Sequence, residues 1–377
     1  MPTVVVSAVR FQSMLANRRW SAEQIAERVE TRLDPRDLAR EDQPVEFDDL
    51  VALGKAFGRP WSYLLSDDVE RFPDFGLDNR TFSSQRVPPS PDLLDEYRAA
   101  EAMLEAAEEL FADQTYEVPP VPITAATPPA RAASIIRDFL NVSQEQQLEA
   151  PDGFAALRLW VAALHSRGVY VAQRRLKGDS IRAFSRAQNG QAVIVVDTGD
   201  TAYARVFSAL HEYCHVVLRT PGICDLDEHR DVERYCNEVA AGVLLPDDLL
   251  VGALLDSQFG RSADKDDEQL KSLSHHLRVS QAALLIALRD RGTITQDAYD
   301  IMEARRQSRR GGGPSRRGGQ YYPMAINKVG RRFARNVFCA VAEGTIDRQE
   351  AGALIGVSEH VVERFQMELS KGKAETS

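Results

Sequence analysis

The pentapeptide His211-Glu212-Tyr213-Cys214-His215 constrains this chain more than any other feature. It lies in a stretch, Thr201 to Leu218, whose apolar residues Val206, Phe207 and Leu210 recur at helical intervals. With 3.6 residues per turn, two histidines four positions apart project from one helical face and can share a divalent cation. A fold carrying such a pair must bring a third ligand from a second element and leave a coordination position open. Glu212 then points beside the ion, where a base for an attacking water belongs. Zinc acidifies such a water from a pKa of about 15.7 toward about 7.

Glu233 is the expected third ligand, because it opens a second predicted helix, Asp231 to Leu245, able to fold back across the first. Glu238 is the rival. It lies about 140° further round that helix, so both carboxylates cannot face one ion. Asn237, one turn beyond Glu233, is placed to orient the site through a hydrogen bond. His229, read as a loop residue, is a candidate for polarising a substrate carbonyl, although a loop histidine is ordinarily just solvated. Tyr235 and Tyr203 are candidate oxyanion donors, and Arg205 a candidate buried partner for a site carboxylate. Cys214, Cys224 and Cys236 show no CxxC pair, so Cys214 and Cys236 are expected to pack as small apolar residues.

The periodicity outlines the remaining organisation. Residues 1–68 read as a small all-helical unit. Ser21 to Gln24 form a capping box ahead of Ile25, Ala26 and Val29, and Pro60 marks a break before Trp61. Residues 69–129 read as linker and long helix: a proline linker at Val87 to Pro91, a helix from about Asp92 to Asp113, and a second proline-rich break at Pro119 to Pro129. Two helices follow, near 130–140 and 153–166. Strand-like runs then appear at Val169 to Ala172, Ile181 to Phe184 and Ala192 to Val196, with a hairpin signal at Asn189-Gly190. Residues 130–305 are therefore expected to form one α+β domain, mostly helical, with a small three-stranded antiparallel sheet leading into the histidine-bearing helix. A flexible, basic, glycine-rich linker is expected at 306–323 and a helical C-terminal domain at 324–377.

Three stretches together resemble the ImmA/IrrE family of bacterial metallo-endopeptidases: Ala204 to His215, Glu233 to Ala240 with its Glu-x-x-Cys-Asn pattern, and Leu244-Leu245-Pro246. The resemblance implies a zincin-like (gluzincin) core. It also implies zinc bound by His211, His215 and Glu233, with Glu212 catalytic. The long form of that family has an XRE-like helix-turn-helix domain at its N-terminus, which matches the short helices of residues 1–68, and a helical C-terminal region. Characterised members cleave a DNA-binding repressor, so the resemblance implies a regulatory protease with a protein substrate, a repressor or antitoxin encoded nearby.

Composition limits the remaining partners. A formal net charge of −10 excludes indiscriminate polyanion binding, so any nucleic-acid contact needs a local basic face. Asp34 to Asp42, where an XRE recognition helix would fall, is acid-rich, which disfavours phosphates and leaves protein docking as the other reading. A second candidate helix-turn-helix spans Gln349 to Val362 and follows a basic helix with Lys328, Arg331, Arg332 and Arg335. Leu273 to Ser280 is a looser match. The plainer reading of both is helix pairs packed on the peptidase. The competing function is thus a DNA-binding regulator or toxin–antitoxin component in which the metal domain senses or scaffolds. Four cysteines, the lack of a signal-peptide pattern and the absence of an apolar run of about 18 residues lead us to expect a cytoplasmic protein with no membrane partner.

Overall fold

The computed structural model describes residues 3–18, 20–57, 61–65, 91–176, 181–218, 226–257, 266–308, 321–358 and 361–371. Most of the expected proline linker before Pro91, most of the glycine-rich run and Cys224 lie outside these residues, as does the side chain of His229. The chain divides into two compact units, Met1–Asp95 with Lys177–Asp179, and Glu96–Leu176 with Ser180–Ser377. Among the described residues, no helix is long and apolar enough to cross a membrane.

The first unit is not all-helical. Strand β1 (Thr3–Val6) pairs antiparallel with β2 (Gln43–Glu46), placing Val6 opposite Gln43. The β-branched run Thr3 to Val6 favours a pleated strand, and a two-stranded ribbon has only edges, where Pro44 is tolerated. Helices α1 (Ala8–Arg18), α2 (Ala22–Ala26) and α3 (Pro35–Leu38) lie between the strands in sequence, and α4 (Phe47–Phe57) follows. The capping box forms: Ser21 Oγ accepts from the Gln24 amide at 3.3 Å and Gln24 Oε1 from the Ser21 amide at 3.0 Å. Phe11, Ile25, Leu38, Leu50, Leu53 and Phe57 close the core. Where a recognition helix was expected, α3 has four residues, about 6 Å of helix. Its Arg36 bonds Asp34 at 2.9 Å and Arg40 lies 3.7 Å from Asp37, so these cations are already paired with local acids.

In the second unit, most of α5 (Pro91–Leu110), which begins in the first, and then α6 (Pro129–Leu140), α7 (Gln144–Leu148) and α8 (Gly153–Ser166) precede strands β3 (Tyr170–Arg174), β4 (Ala183–Gln188) and β5 (Gln191–Asp197). The sheet is mixed rather than antiparallel. Its order is β3-β5-β4, with β4 antiparallel to β5 and β3 parallel to β5. The Asn189-Gly190 turn, with φ of 47° and 80°, folds β4 back on β5 as a two-residue hairpin. That leaves β3 to join the other side of β5, and every residue of β5 is buried.

The helical remainder comprises α9 (Ala202–Leu218), α10 (Leu226–Leu244), α11 (Asp247–Ser257), α12 (Asp266–His276), α13 (Gln281–Asp290), α14 (Gln296–Ser308), α15 (Tyr321–Val329), α16 (Arg331–Glu343), α17 (Arg348–Ile355) and α18 (Val362–Lys371). One sheet face, with Val171, Ile194 and Val196, shares a core with Trp160 and Leu164 of α8, Val206, Leu210 and Tyr213 of α9, and Val239 and Leu244 of α10. On the other face, Phe184 stacks on Tyr97 of α5 at 4.3 Å and Tyr170 meets Phe333 of α16 edge-on at 5.6 Å. Both later helix-turn-helix candidates are packed helix pairs. Leu273, Leu277, Val279 and Leu284 of the α12–α13 pair enter the main core, and α17 and α18 bury Ile355, Val362 and Phe365 against α15 and α16.

Candidate metal centre

Helix α9 is capped by Thr201, whose hydroxyl accepts from the Ala204 amide at 3.3 Å while its carbonyl accepts from the Arg205 amide. Its apolar face is buried against the sheet and α8, which turns His211, Glu212 and His215 toward the half-exposed side. Helix α10 crosses α9 where two small side chains, Cys214 and Cys236, are both fully buried. Neither is in a disulfide, and the adjacent Cys214 thiol together with burial pushes the Cys236 thiol strongly up, as expected of inert packing residues.

That crossing brings Glu233 onto the histidine pair. His211 Nε2 lies 3.2 Å from His215 Nε2 and 3.3 Å from Glu233 Oε2, and His215 Nε2 lies 3.0 Å from Glu233 Oε1. Among the described residues this is the one group of three or more potential ligands with donor atoms within 4.8 Å of one another. The spacing fits a small divalent cation, since zinc bonds of about 2.0–2.1 Å in a tetrahedron separate donor atoms by about 3.3–3.4 Å. Two imidazoles and one carboxylate supply three donors and leave a fourth position for water or substrate. Glu238 faces elsewhere, accepting from Arg234 at 2.7 Å and Arg289 at 3.5 Å. Nδ1 of His211 is buried with no hydrogen-bond partner among the described residues, whereas metal-binding histidines ordinarily donate from their other ring nitrogen.

Electrostatics inside the triad already favour a cation. Burial on its own would depress His211, but the hydrogen-bonded carboxylate of Glu233, with help from Glu212, outweighs it and raises the imidazole to about 9. Burial likewise pushes Glu233 up, and the two imidazoles override it, holding the carboxyl well below the usual carboxylate range. A proton here occupies the place a metal ion would take.

Glu212 accepts a hydrogen bond from Ser185 Oγ at 2.7 Å. Sequence reasoning missed Ser185, because one serine in a short strand is indistinguishable from a solvated one until pairing register is known.

The other expected residues divide clearly. Asn237 is half-buried one turn beyond Glu233 and makes no hydrogen bond to the triad among the described residues. His229 belongs to α10, which starts at Leu226, rather than to a loop. Tyr235 donates its hydroxyl to the Thr124 carbonyl at 3.2 Å, so its single donor is taken and it is not an oxyanion group. Tyr203 lies edge-on to His275 at 6.0 Å.

Among the described residues, Arg205 bonds no site carboxylate. It binds the Asp200 carbonyl and Gln173 Oε1, both at 3.0 Å, and pins the turn before α9 to β3. Six residues from His211 amount to about 600° of helical rotation, so it points roughly 120° away from the metal face. Of the basic candidates, Lys328 and Arg335 are exposed and Arg331 is half-buried. Arg332 is spent internally, donating to the His165 carbonyl at 3.0 Å with its guanidinium 5.7 Å from the Tyr170 ring centre.

None of the curated proteins compared with the chain matches it. Residues 165–289, about a third of the 377 residues, match the family model described as Peptidase_M78, IrrE N-terminal-like domain. The matched segment holds all three strands of the mixed sheet and both helices that carry the candidate ligands. On these residues the chain is similar to the IrrE N-terminal-like domain, which supports the ImmA/IrrE family and a metallopeptidase-type hydrolase.

Proposed function

We propose that the chain is a zinc-dependent regulatory endopeptidase acting on a protein partner, a repressor or antitoxin-like protein encoded nearby, with a zincin-like core spanning the matched segment. The observation that carries this reading is the convergence of His211, His215 and Glu233 donor atoms to 3.0–3.3 Å beside Glu212. When bound there, zinc supplies Lewis acidity, polarising a peptide carbonyl and bringing a water's pKa from about 15.7 toward about 7. The chain's own residues do the rest. His211 and His215, held four apart on a rigid helix, and Glu233 from the crossing helix form the three-sided cradle. Glu212 takes the proton of the attacking water at one carboxylate oxygen and delivers it to the departing amine nitrogen, as a single carboxylate beside both atoms can.

The test is metal analysis of the full chain, joined to incubation with the protein from the adjacent reading frame and mass measurement of fragments. Glu212→Gln is expected to keep its metal and lose cleavage by about 10²- to 10⁴-fold, the usual contribution of a general base. His211→Ala is expected to lose the metal. Cleavage by the Glu212→Gln protein at the wild-type rate refutes the mechanism.

A further inference from the structure

Strand β4 is the outer strand of the mixed sheet, with no strand partner beyond it among the described residues. Ser185 stands opposite Ile194, whose side chain lies in the core shared with α9, so Ser185 projects toward α9 as well. Its hydroxyl meets Glu212 Oε2 at 2.7 Å. Next to a carboxylate a serine hydroxyl can only donate, and a donor to a charged acceptor is the stronger kind of hydrogen bond. The second oxygen of Glu212 has no hydrogen bond among the described residues.

The strand under Ser185 is held from the opposite face of the sheet. Phe184 stacks on Tyr97 at 4.3 Å and 24°, and Arg186 pairs with Glu101 at 2.9 Å. Because Arg182 accepts from the Asp197 amide, alternation of the antiparallel ladder assigns residues 184 and 186 to the bonds with β5. The backbone groups of Ser185 face the open edge. Its hydroxyl can therefore be altered without removing a ladder bond.

We propose that Ser185 is a positioning residue for Glu212, an inference that rests on the hydrolase reading above. The serine pins one carboxylate oxygen, suppresses the rotamers that would swing a half-exposed glutamate into solvent, and keeps the other oxygen directed to the proton it must carry. Glu212 supplies the charge, and Ser185, fixed by a sheet anchored on both faces, supplies its direction.

The experiment uses the zinc-loaded full chain and acetohydroxamic acid, which chelates zinc through two oxygens and carries a proton that a carboxylate beside the metal accepts. Its dissociation constant, read by calorimetry, reports the placement of Glu212 without any turnover. Ser185→Ala is expected to weaken binding about 10- to 100-fold at unchanged zinc content, the range for a lost hydrogen bond to a charged group. Ser185→Thr, which keeps the hydroxyl, is expected to restore most of it, and in a Glu212→Ala background Ser185→Ala is expected to have no further effect. Ser185→Cys, near-isosteric with a weak donor, serves if the alanine variant unfolds, and the same weakening is expected. Wild-type affinity in the folded variant, or an equal loss in the Glu212→Ala background, overturns the positioning role. A chain that takes up zinc and binds the hydroxamate with this coupling, yet cleaves no protein or peptide, overturns the hydrolase reading and leaves the Ser185–Glu212 link standing. A chain that takes up no zinc overturns both.

Discussion

Replacing Glu233 by Gln should change how zinc affinity depends on pH, as well as weakening it. In the metal-free protein the Glu233 carboxylate holds a proton on His211 up to about pH 9. Metal and proton would compete for the same Nε2, so zinc affinity is expected to rise about tenfold per pH unit until that imidazole is neutral. From pH 6.5, the ordinary histidine value, to about 9 this one proton is worth roughly 300-fold in affinity, on the order of 3 kcal/mol. Competition against a chromophoric chelator at buffered free zinc measures it. Wild type should keep gaining affinity to about pH 9, and Glu233→Gln, with burial left and the carboxylate charge gone, should level off by about pH 6.5. The sign for the fold is opposite. A raised histidine pKa stabilises the metal-free protein fully below pH 6.5, and that contribution is lost as pH rises through about 9. Wild-type affinity that is flat above pH 7, or a Glu233→Gln profile of the same shape, would refute the electrostatic reading of the triad.

Two further substitutions probe the frame around the site. The Tyr213 hydroxyl is buried without a hydrogen-bond partner among the described residues, so Tyr213→Phe should be neutral or stabilise by about 1 kcal/mol in urea unfolding, and a loss of more than about 1 kcal/mol would show that the hydroxyl is hydrogen-bonded in solution. Gln147 is fully buried, donating to the Leu244 and Leu277 carbonyls at 3.0 and 2.9 Å and accepting from Arg137 at 2.9 Å. Gln147→Leu leaves the Leu244 carbonyl at the end of α10 and the Leu277 carbonyl after α12 without this donor, while Arg137 keeps its bond to the Val243 carbonyl, so unfolding stability should fall by about 3 kcal/mol, and a loss under about 1 kcal/mol would show that water replaces the amide.

The candidate metal ligands were legible because helical geometry is local. An i, i+4 histidine pair must share a face in any α-helix, and a rotation of about 140° separates Glu233 from Glu238 whatever surrounds them. The capping box at Ser21 and the Asn189-Gly190 hairpin were legible for the same reason, each being settled within four residues. Arg205 failed as a site residue on this very criterion, since its six-residue offset from His211 already points it away. Its true partners, Gln173 and the turn carbonyls, are set by how β3 lies beside β5.

By itself, then, the order of residues determined which side chains could bind a cation and which helix faces they occupy, because those depend on bond geometry over one or two turns. Only the tertiary structure decided that α10 crosses α9 at Cys214 and Cys236 so that Glu233 reaches the imidazoles, that β3 runs parallel to β5, and that Ser185 meets Glu212. Crossing, strand order and register arise from burying apolar faces between segments far apart in the chain, and no local periodicity encodes which partner each face will find.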